Sequence, residues 1–129
     1  METAVTCIAL LGLLLVGLGF WVSLTRGQTG TNYGVEADPT DRLYKLVRAH
    51  ANTAEYAPMF GLLMLVVGMG NPAVWVQWTM VVALVSRYLI VVGMIVGPSL
   101  DEVQPLRFAG AFGTYISGLV LVVALIIGA

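Results

Sequence analysis

Four long apolar stretches constrain the fold of this chain more than any other feature. Each approaches or exceeds the about 20 residues that an α-helix needs to cross the hydrocarbon of a bilayer. With 59% hydrophobic and only 10% charged residues, the composition lies outside that of ordinary soluble domains. The sequence therefore predicts an integral membrane protein. The stretches cover residues 4–24, 41–70, 73–97 and 106–128.

The breaks between these stretches carry the usual signals of helix starts. Asp38 and Pro39 stand just before Asp41, as a helix cap, a first-turn proline and a first-turn acid would. Asn71 and Pro72 repeat the cap-and-proline pattern before the third stretch. We therefore predict one all-α domain over residues 1–129, a four-transmembrane-helix up-and-down bundle. Its helices are expected at about 4–25, 40–70, 72–97 and 105–128.

The first stretch is apolar enough to imitate a secretory signal peptide, but it lacks the other features of one. Its only early charge is Glu2, and the apolar run continues through Trp21 without a small-residue cleavage site. We read it as a retained first helix. The single cysteine, Cys7, excludes an intrachain disulfide and a cysteine-based metal cluster, and no metal site is predicted. A net charge of −1 without a basic run excludes a nucleic-acid partner.

Basic residues mark one side of the predicted bundle. The second loop and both termini contain no Lys or Arg, whereas five basic residues flank the first or the third loop. Positive charge in short loops stays on the cytoplasmic side. The sequence thus predicts that the first and third loops are cytoplasmic and that both termini lie outside. The five residues are Arg26, Arg42, Lys45, Arg48 and Arg107.

Polar residues interrupt the second stretch where it should enter the membrane. Arg48, Asn52 and Glu55 are spaced i, i+4 and i+7 and share one helix face, whereas His50 projects from the opposite side. A charge at the bilayer centre costs about 3 kcal/mol, so the stripe must face protein or a wet cavity. Arg48 could simply snorkel to phosphate and Asn52 could bond across helices. The other interpretation is that the stripe binds a ligand.

Two further arginines need partners. Arg87 falls near mid-membrane, and Glu55 is the only carboxylate at a comparable depth, which predicts an ion pair between the second and third helices. Arg107 falls in the first turn of the last helix, where the helix dipole disfavours a cation. Either Asp101 or Glu102 should neutralise it, or an anionic ligand or thiolate should.

The polar segment also carries a family resemblance. It is similar to the second-helix signature of MAPEG proteins, the membrane-associated proteins in eicosanoid and glutathione metabolism, and the four-helix layout extends the likeness over the whole chain. Prostaglandin E synthases and microsomal glutathione transferases carry Arg-Ala-His with a following Asn and Glu. Leukotriene-forming synthases carry Asn-x-x-Glu-Tyr-x-Pro. This chain combines both in Arg48-Ala49-His50-x-Asn52-x-x-Glu55-Tyr56-x-Pro58.

The resemblance implies a homotrimer that binds glutathione as cosubstrate between helices of neighbouring chains, near the cytoplasmic side. Arg87 resembles the helix-three arginine that pairs with the motif glutamate. Arg107 resembles the fourth-helix arginine that stabilises the glutathione thiolate, and Arg26 is a secondary candidate for that role. The positions that match the family's glutathione contacts are Arg48, His50, Asn52, Glu55 and Tyr56.

The implied activity is that of a glutathione-dependent transferase or peroxidase acting on lipophilic electrophiles or hydroperoxides. Its implied partners are membrane lipids, further copies of the chain and a small lipophilic substrate. The Gly- and Thr-rich first loop resembles small bacterial members, which implies the bacterial inner membrane. One departure supports an alternative: Ile90 and Met94 stand where the enzymes usually have tyrosines. The alternative is a non-catalytic trimeric membrane module that binds a lipid, an anionic metabolite or a partner protein.

Overall fold

A computed structural model describes residues 1–129 as four helices joined by short loops. Successive helices are antiparallel: the start of the first lies beside the end of the second, where Ala4 meets Gly68, and Gly93 of the third lies beside Arg107 of the fourth. The predicted all-α four-helix bundle is therefore confirmed. The helices are α1 (Glu2–Thr29), α2 (Arg42–Met69), α3 (Val74–Val96) and α4 (Pro105–Ile127).

Local capping fixes where α2 and α4 begin. The Asp41 carboxylate accepts a hydrogen bond from the Tyr44 backbone N–H at 2.8 Å, and the Gln104 side chain accepts one from the Arg107 N–H at 3.0 Å.

In the loop before α2, hydrogen bonds from Thr40 lower the pKa of Asp38. Because a lowered pKa favours the carboxylate, this turn stays intact above the ordinary carboxyl range and loosens only as pH falls through the lowered value.

Three of the four helices, α1, α3 and α4, are long and apolar enough to cross a membrane. The prediction of four apolar spans is thus correct for three of them. α2 has 28 residues, about 42 Å of helix at about 1.5 Å per residue, so its length suffices. Its first half is too polar, because it contains Arg42, Lys45, Arg48 and Glu55.

The bundle consists of two helical hairpins. The most extensive packing joins α1 to α2 and α3 to α4, and α1 makes no contact with α4. The α3–α4 pair is close because glycines line it: a Cβ atom added to Gly110 would lie 2.6 Å from the Ile90 backbone nitrogen, and one on Gly93 would lie 2.5 Å from that of Arg107. Residues without a side chain thus allow the backbones of α3 and α4 to approach closely.

The loops at one end of the bundle touch each other. The Leu100 backbone N–H donates to the Pro39 carbonyl at 3.0 Å, which joins the third loop to the first. Lys45 reaches across from α2 and donates to the Gly97 carbonyl at 3.0 Å, at the end of α3. This end, which we call the loop 1–loop 3 end, therefore gathers five of the six basic residues of the chain, as the sequence predicts.

Candidate functional site

Arg87 is the most unusual residue in the bundle, because its long cationic side chain is fully buried with 0% of its surface exposed. Its Nη2 donates to the side-chain Oδ1 of Asn52 at 2.6 Å and to the Asn52 carbonyl at 3.0 Å. The Tyr56 ring lies over the guanidinium, with its centroid 4.7 Å from Cζ. The remaining nitrogens, Nε and Nη1, have no hydrogen-bond partner.

The predicted ion pair between Glu55 and Arg87 is wrong within one chain. Glu55 is exposed on the outer surface of α2, and the bonds of Arg87 go to Asn52 instead. The reason is helix geometry: Asn52 and Tyr56 are one turn apart and both face α3, whereas Glu55 lies about 100° round the helix from Tyr56. A neutral amide thus takes the place expected for a carboxylate, and no carboxylate is hydrogen-bonded to Arg87.

A cavity of about 250 Å³ lies between α2, α3 and α4, and Arg87 lines it. We call it the two-arginine cavity, because Arg107 also lines it. Asn52, Tyr56 and Arg87 form one part of its wall, and Arg107 and Tyr115 from α4 form another. Two guanidinium groups and no carboxylate line it. Such a cavity favours an anionic ligand, since buried charges require a partner of opposite sign.

Arg107 is held by loop backbone rather than by an acidic side chain. Its Nη1 donates to the Leu100 carbonyl at 2.8 Å and its Nη2 to the Glu102 carbonyl at 2.9 Å. Of the two alternatives for Arg107, neutralisation by the carboxylates of Asp101 or Glu102 is not observed. Backbone carbonyls position the guanidinium but carry no net charge, so the cation at the positive end of the α4 dipole remains available to an anion.

The other sequence-predicted residues lie outside this cavity. Arg48 is exposed on α2, one turn before Asn52. His50 lies against α1, where its Nε2 would be 3.2 Å from a Cβ added to Gly19. Arg26 holds the first loop by donating to the Gly34 carbonyl at 2.6 Å. Four of the eight predicted site residues, Asn52, Tyr56, Arg87 and Arg107, thus share one cavity.

The sequence pattern of a protein family matches nearly the whole chain. The model of the MAPEG family covers residues 4–127. The chain belongs to the MAPEG family. Membership implies a glutathione-related membrane function in general. Comparison with individual curated proteins finds no match.

This MAPEG chain departs from the usual tyrosine pattern inside the cavity itself. Ile90 and Met94, one and two turns after Arg87, are buried and line the cavity wall. Apolar side chains therefore stand where hydroxyls are usual. Hydroxyls reach the cavity from α2 and α4 instead, and the Tyr56 and Tyr115 oxygens lie 3.4 Å apart there.

Sequence reasoning missed Thr114 and Tyr115, although part of the signal was present. Thr114 follows Arg107 by seven residues, a spacing that returns to the same helix face. It lines the cavity and is 2% exposed, and its Oγ1 has no hydrogen-bond partner. Tyr115 is adjacent, and nothing in the sequence alone indicates that its ring turns toward Tyr56.

A second, apolar cavity adjoins the first in this MAPEG bundle. It has a volume of about 450 Å³ and lies between α2 and α4. Tyr56, Thr114 and Tyr115 line both cavities, so they form the boundary between a cationic chamber and an apolar groove. Glu55 stands at the edge of this groove. The arrangement places a cationic site next to an apolar groove.

Proposed function

We propose that this chain is a glutathione-dependent membrane transferase or peroxidase that acts on lipophilic electrophiles or hydroperoxides. The observation that supports it best is Arg87, whose fully buried guanidinium has two nitrogens without partners beside a cavity that also contains Arg107. Glutathione offers two carboxylates and a thiol that can ionise. A buried cation that is only partly paired is costly, so an anionic ligand at this place stabilises the folded protein as it binds.

Each residue of the cavity then has a distinct role. Asn52, Tyr56 and Arg87 hold the peptide, and Arg107 stabilises the thiolate by lowering the pKa of the glutathione thiol. In conjugation with an aromatic halide, the thiol proton leaves, the thiolate sulfur forms a bond to the ring carbon that carries the halogen, and the carbon–halogen bond breaks as halide departs with its electron pair. In peroxide reduction, two glutathione thiols are oxidised to one disulfide while the hydroperoxide becomes an alcohol and water.

The proposal includes a homotrimer. Arg48 and Glu55 match the family's glutathione contacts, yet both are exposed on α2 outside the two-arginine cavity. A neighbouring copy packed on this face would cover them and bring them to a shared ligand. The apolar outer faces of α1 and α4, which do not meet within the chain, are available for such packing.

The alternative is a trimeric membrane module that binds a lipid, an anionic metabolite or a partner protein without turnover. Ile90 and Met94 favour it, because they remove hydroxyls from the cavity wall. The hydroxyls of Tyr56 and Tyr115 favour the enzyme, because they supply hydrogen-bond donors to the same space.

Glutathione binding to the purified protein in detergent, measured by calorimetry, tests the proposal. We expect Arg107→Gln to weaken binding by at least about tenfold, because a hydrogen bond to a charged group contributes about 1.5–3 kcal/mol. Arg42→Gln removes the same charge from the same end of the bundle but outside the cavity, so it should bind like wild type. Absence of binding at millimolar glutathione would refute the glutathione site.

A turnover assay then separates the enzyme from the binding module. The wild-type protein is given glutathione with an aromatic halide electrophile or with an organic hydroperoxide. Product formation that falls in Arg107→Gln and persists in Arg42→Gln supports the enzyme. Glutathione binding without product from either substrate class supports the non-catalytic module.

A further inference from the structure

A second apolar groove lies between α1 and α3 and shares no lining residue with the two-arginine cavity. It has a volume of about 540 Å³, and nine of its ten lining residues are hydrophobic. It extends from Leu13 to Trp21 along α1 and from Tyr88 to Val96 along α3. The eight residue-to-residue steps from one end to the other span about 12 Å, which is most of the about 15 Å of hydrocarbon in one leaflet.

The two ends of this groove differ in chemistry. At the end away from the loops, the Tyr88 hydroxyl donates its one hydrogen to the Leu10 carbonyl at 3.0 Å, so no cation and no free donor stands there. At the loop 1–loop 3 end, Trp21 and Ile95 continue from the groove into a cavity of about 240 Å³ that Arg42 and Lys45 also line. The apolar groove therefore ends at two cations.

These two cations are placed to contact an anion at the membrane surface. The Arg42 guanidinium lies over the Trp21 ring, 5.9 Å from its centroid, and is exposed. The adjacent carboxylate of Asp41 is used in capping α2. The Lys45 ammonium is anchored by the Gly97 carbonyl at 3.0 Å and the Ile95 carbonyl at 3.5 Å. Arg42 thus keeps its full set of donors free, and Lys45 keeps its positive charge.

We propose that the α1–α3 groove binds an anionic phospholipid of the adjacent leaflet. One acyl chain lies along the groove between Leu13 and Val96, and the headgroup phosphate contacts Arg42 and Lys45. Charge complementarity favours this occupant. The apolar groove matches a hydrocarbon chain, and the two cations at its end match the anionic headgroup attached to that chain. Basic pockets between membrane helices bind anionic headgroups for the same reason.

The test is native mass spectrometry of the detergent-purified protein titrated with phosphatidylglycerol or with phosphatidylcholine of identical acyl chains. We expect the wild-type protein to bind phosphatidylglycerol more tightly than phosphatidylcholine. Arg42→Gln should weaken that binding about fivefold, the effect of about one basic residue near an anionic headgroup. Arg48→Gln is the matched control, because it removes the same charge from an exposed position on the same helix outside the groove. Equal weakening by both variants would show diffuse attraction and overturn the proposal.

A second pair of variants tests the acyl chain. Gly17 lines the groove, and a Cβ added there meets nothing within 4 Å, so Gly17→Leu fills the groove without disturbing the helices. Gly12 is equally open but does not line the groove. We expect Gly17→Leu to weaken phosphatidylglycerol binding and Gly12→Leu to leave it unchanged, with both variants retaining wild-type helical content.

Two further results would overturn the proposal. If Gly17→Leu changed the oligomeric mass but not lipid binding, the groove would be an interface between copies of the chain. If glycerol phosphate, which has the anionic group but no acyl chain, displaced phosphatidylglycerol at equal concentration, the site would take a free phosphate ester rather than a lipid. If phosphatidylglycerol stays bound in the presence of an equal concentration of glycerol phosphate, the proposal is supported.

Discussion

At the scale of single residues, the buried guanidinium of Arg87 shows both the reach and the limit of sequence reasoning. Its depth in α3 is sufficient to predict that it needs a polar partner on α2. The choice between Asn52 and Glu55 depends on about 100° of helix rotation, which spacing along one helix does not determine. The structure resolves this choice in favour of Asn52.

The contact between Asn52 and Arg87 leads to a stability prediction. Asn52→Ala removes the 2.6 Å hydrogen bond to Nη2 and should lower the free energy of unfolding by about 2 kcal/mol, because the bond is made to a buried charge. Titration with a denaturing detergent, followed by circular dichroism, measures the change. In an Arg87→Met background the same substitution should cost less than about 0.5 kcal/mol. Equal costs in both backgrounds would contradict the pairing.

At the scale of secondary structure, the close packing of the α3–α4 hairpin depends on glycines in both helices. The apolar runs predict the four helices, and the small residues of α3 and α4 allow close packing. The predicted caps Asp38 and Asn71 are wrong, because Asp41 caps α2 and α3 begins after Ala73 without a side-chain cap. The same features do not reveal which residue each glycine meets. Gly110 faces the Ile90 backbone nitrogen and the Ser86 carbonyl, which only the rotation and tilt of the two helices determine.

Glycine substitutions test the role of this close contact. A Cβ at Gly110 would lie 2.6 Å and 2.7 Å from two backbone atoms of α3, so Gly110→Ala must push the helices apart. We expect a loss of about 1–3 kcal/mol in the free energy of unfolding. Gly61→Ala in α2 meets nothing within 4 Å and should stabilise the protein by about 0.5–1 kcal/mol. Unfolding of the two variants, compared under one set of detergent conditions, gives the result; a stable Gly110→Ala protein would argue against backbone contact.

At the scale of the whole molecule, the distribution of basic residues predicts the orientation of the bundle in the membrane. Cys7 is 2% exposed, so thiol labelling can report on introduced cysteines. Ala73→Cys in the second loop should react with an impermeant maleimide in intact cells. Asn32→Cys in the first loop should react only after permeabilisation. The reverse pattern would show that the bundle is inserted the other way round.

The sequence is least informative about contacts between helices that are distant along the chain. Hydrophobic length predicts the membrane helices, and the basic residues predict which loops lie together, because both depend on local composition. The packing of two hairpins, with α1 apart from α4, depends on contacts across the bundle that composition does not specify. The same holds for the Tyr56–Tyr115 contact, which joins residues 59 positions apart.

The two-hairpin arrangement also bears on how the protein is made. Because the most extensive packing joins helices that are neighbours in the chain, the α1–α2 pair can form while α3 and α4 are still being synthesised. The second pair can assemble in the same way and dock afterwards through α2 and α3. No helix has to wait for a distant partner before its main surface is covered, so biogenesis can proceed in the order of translation.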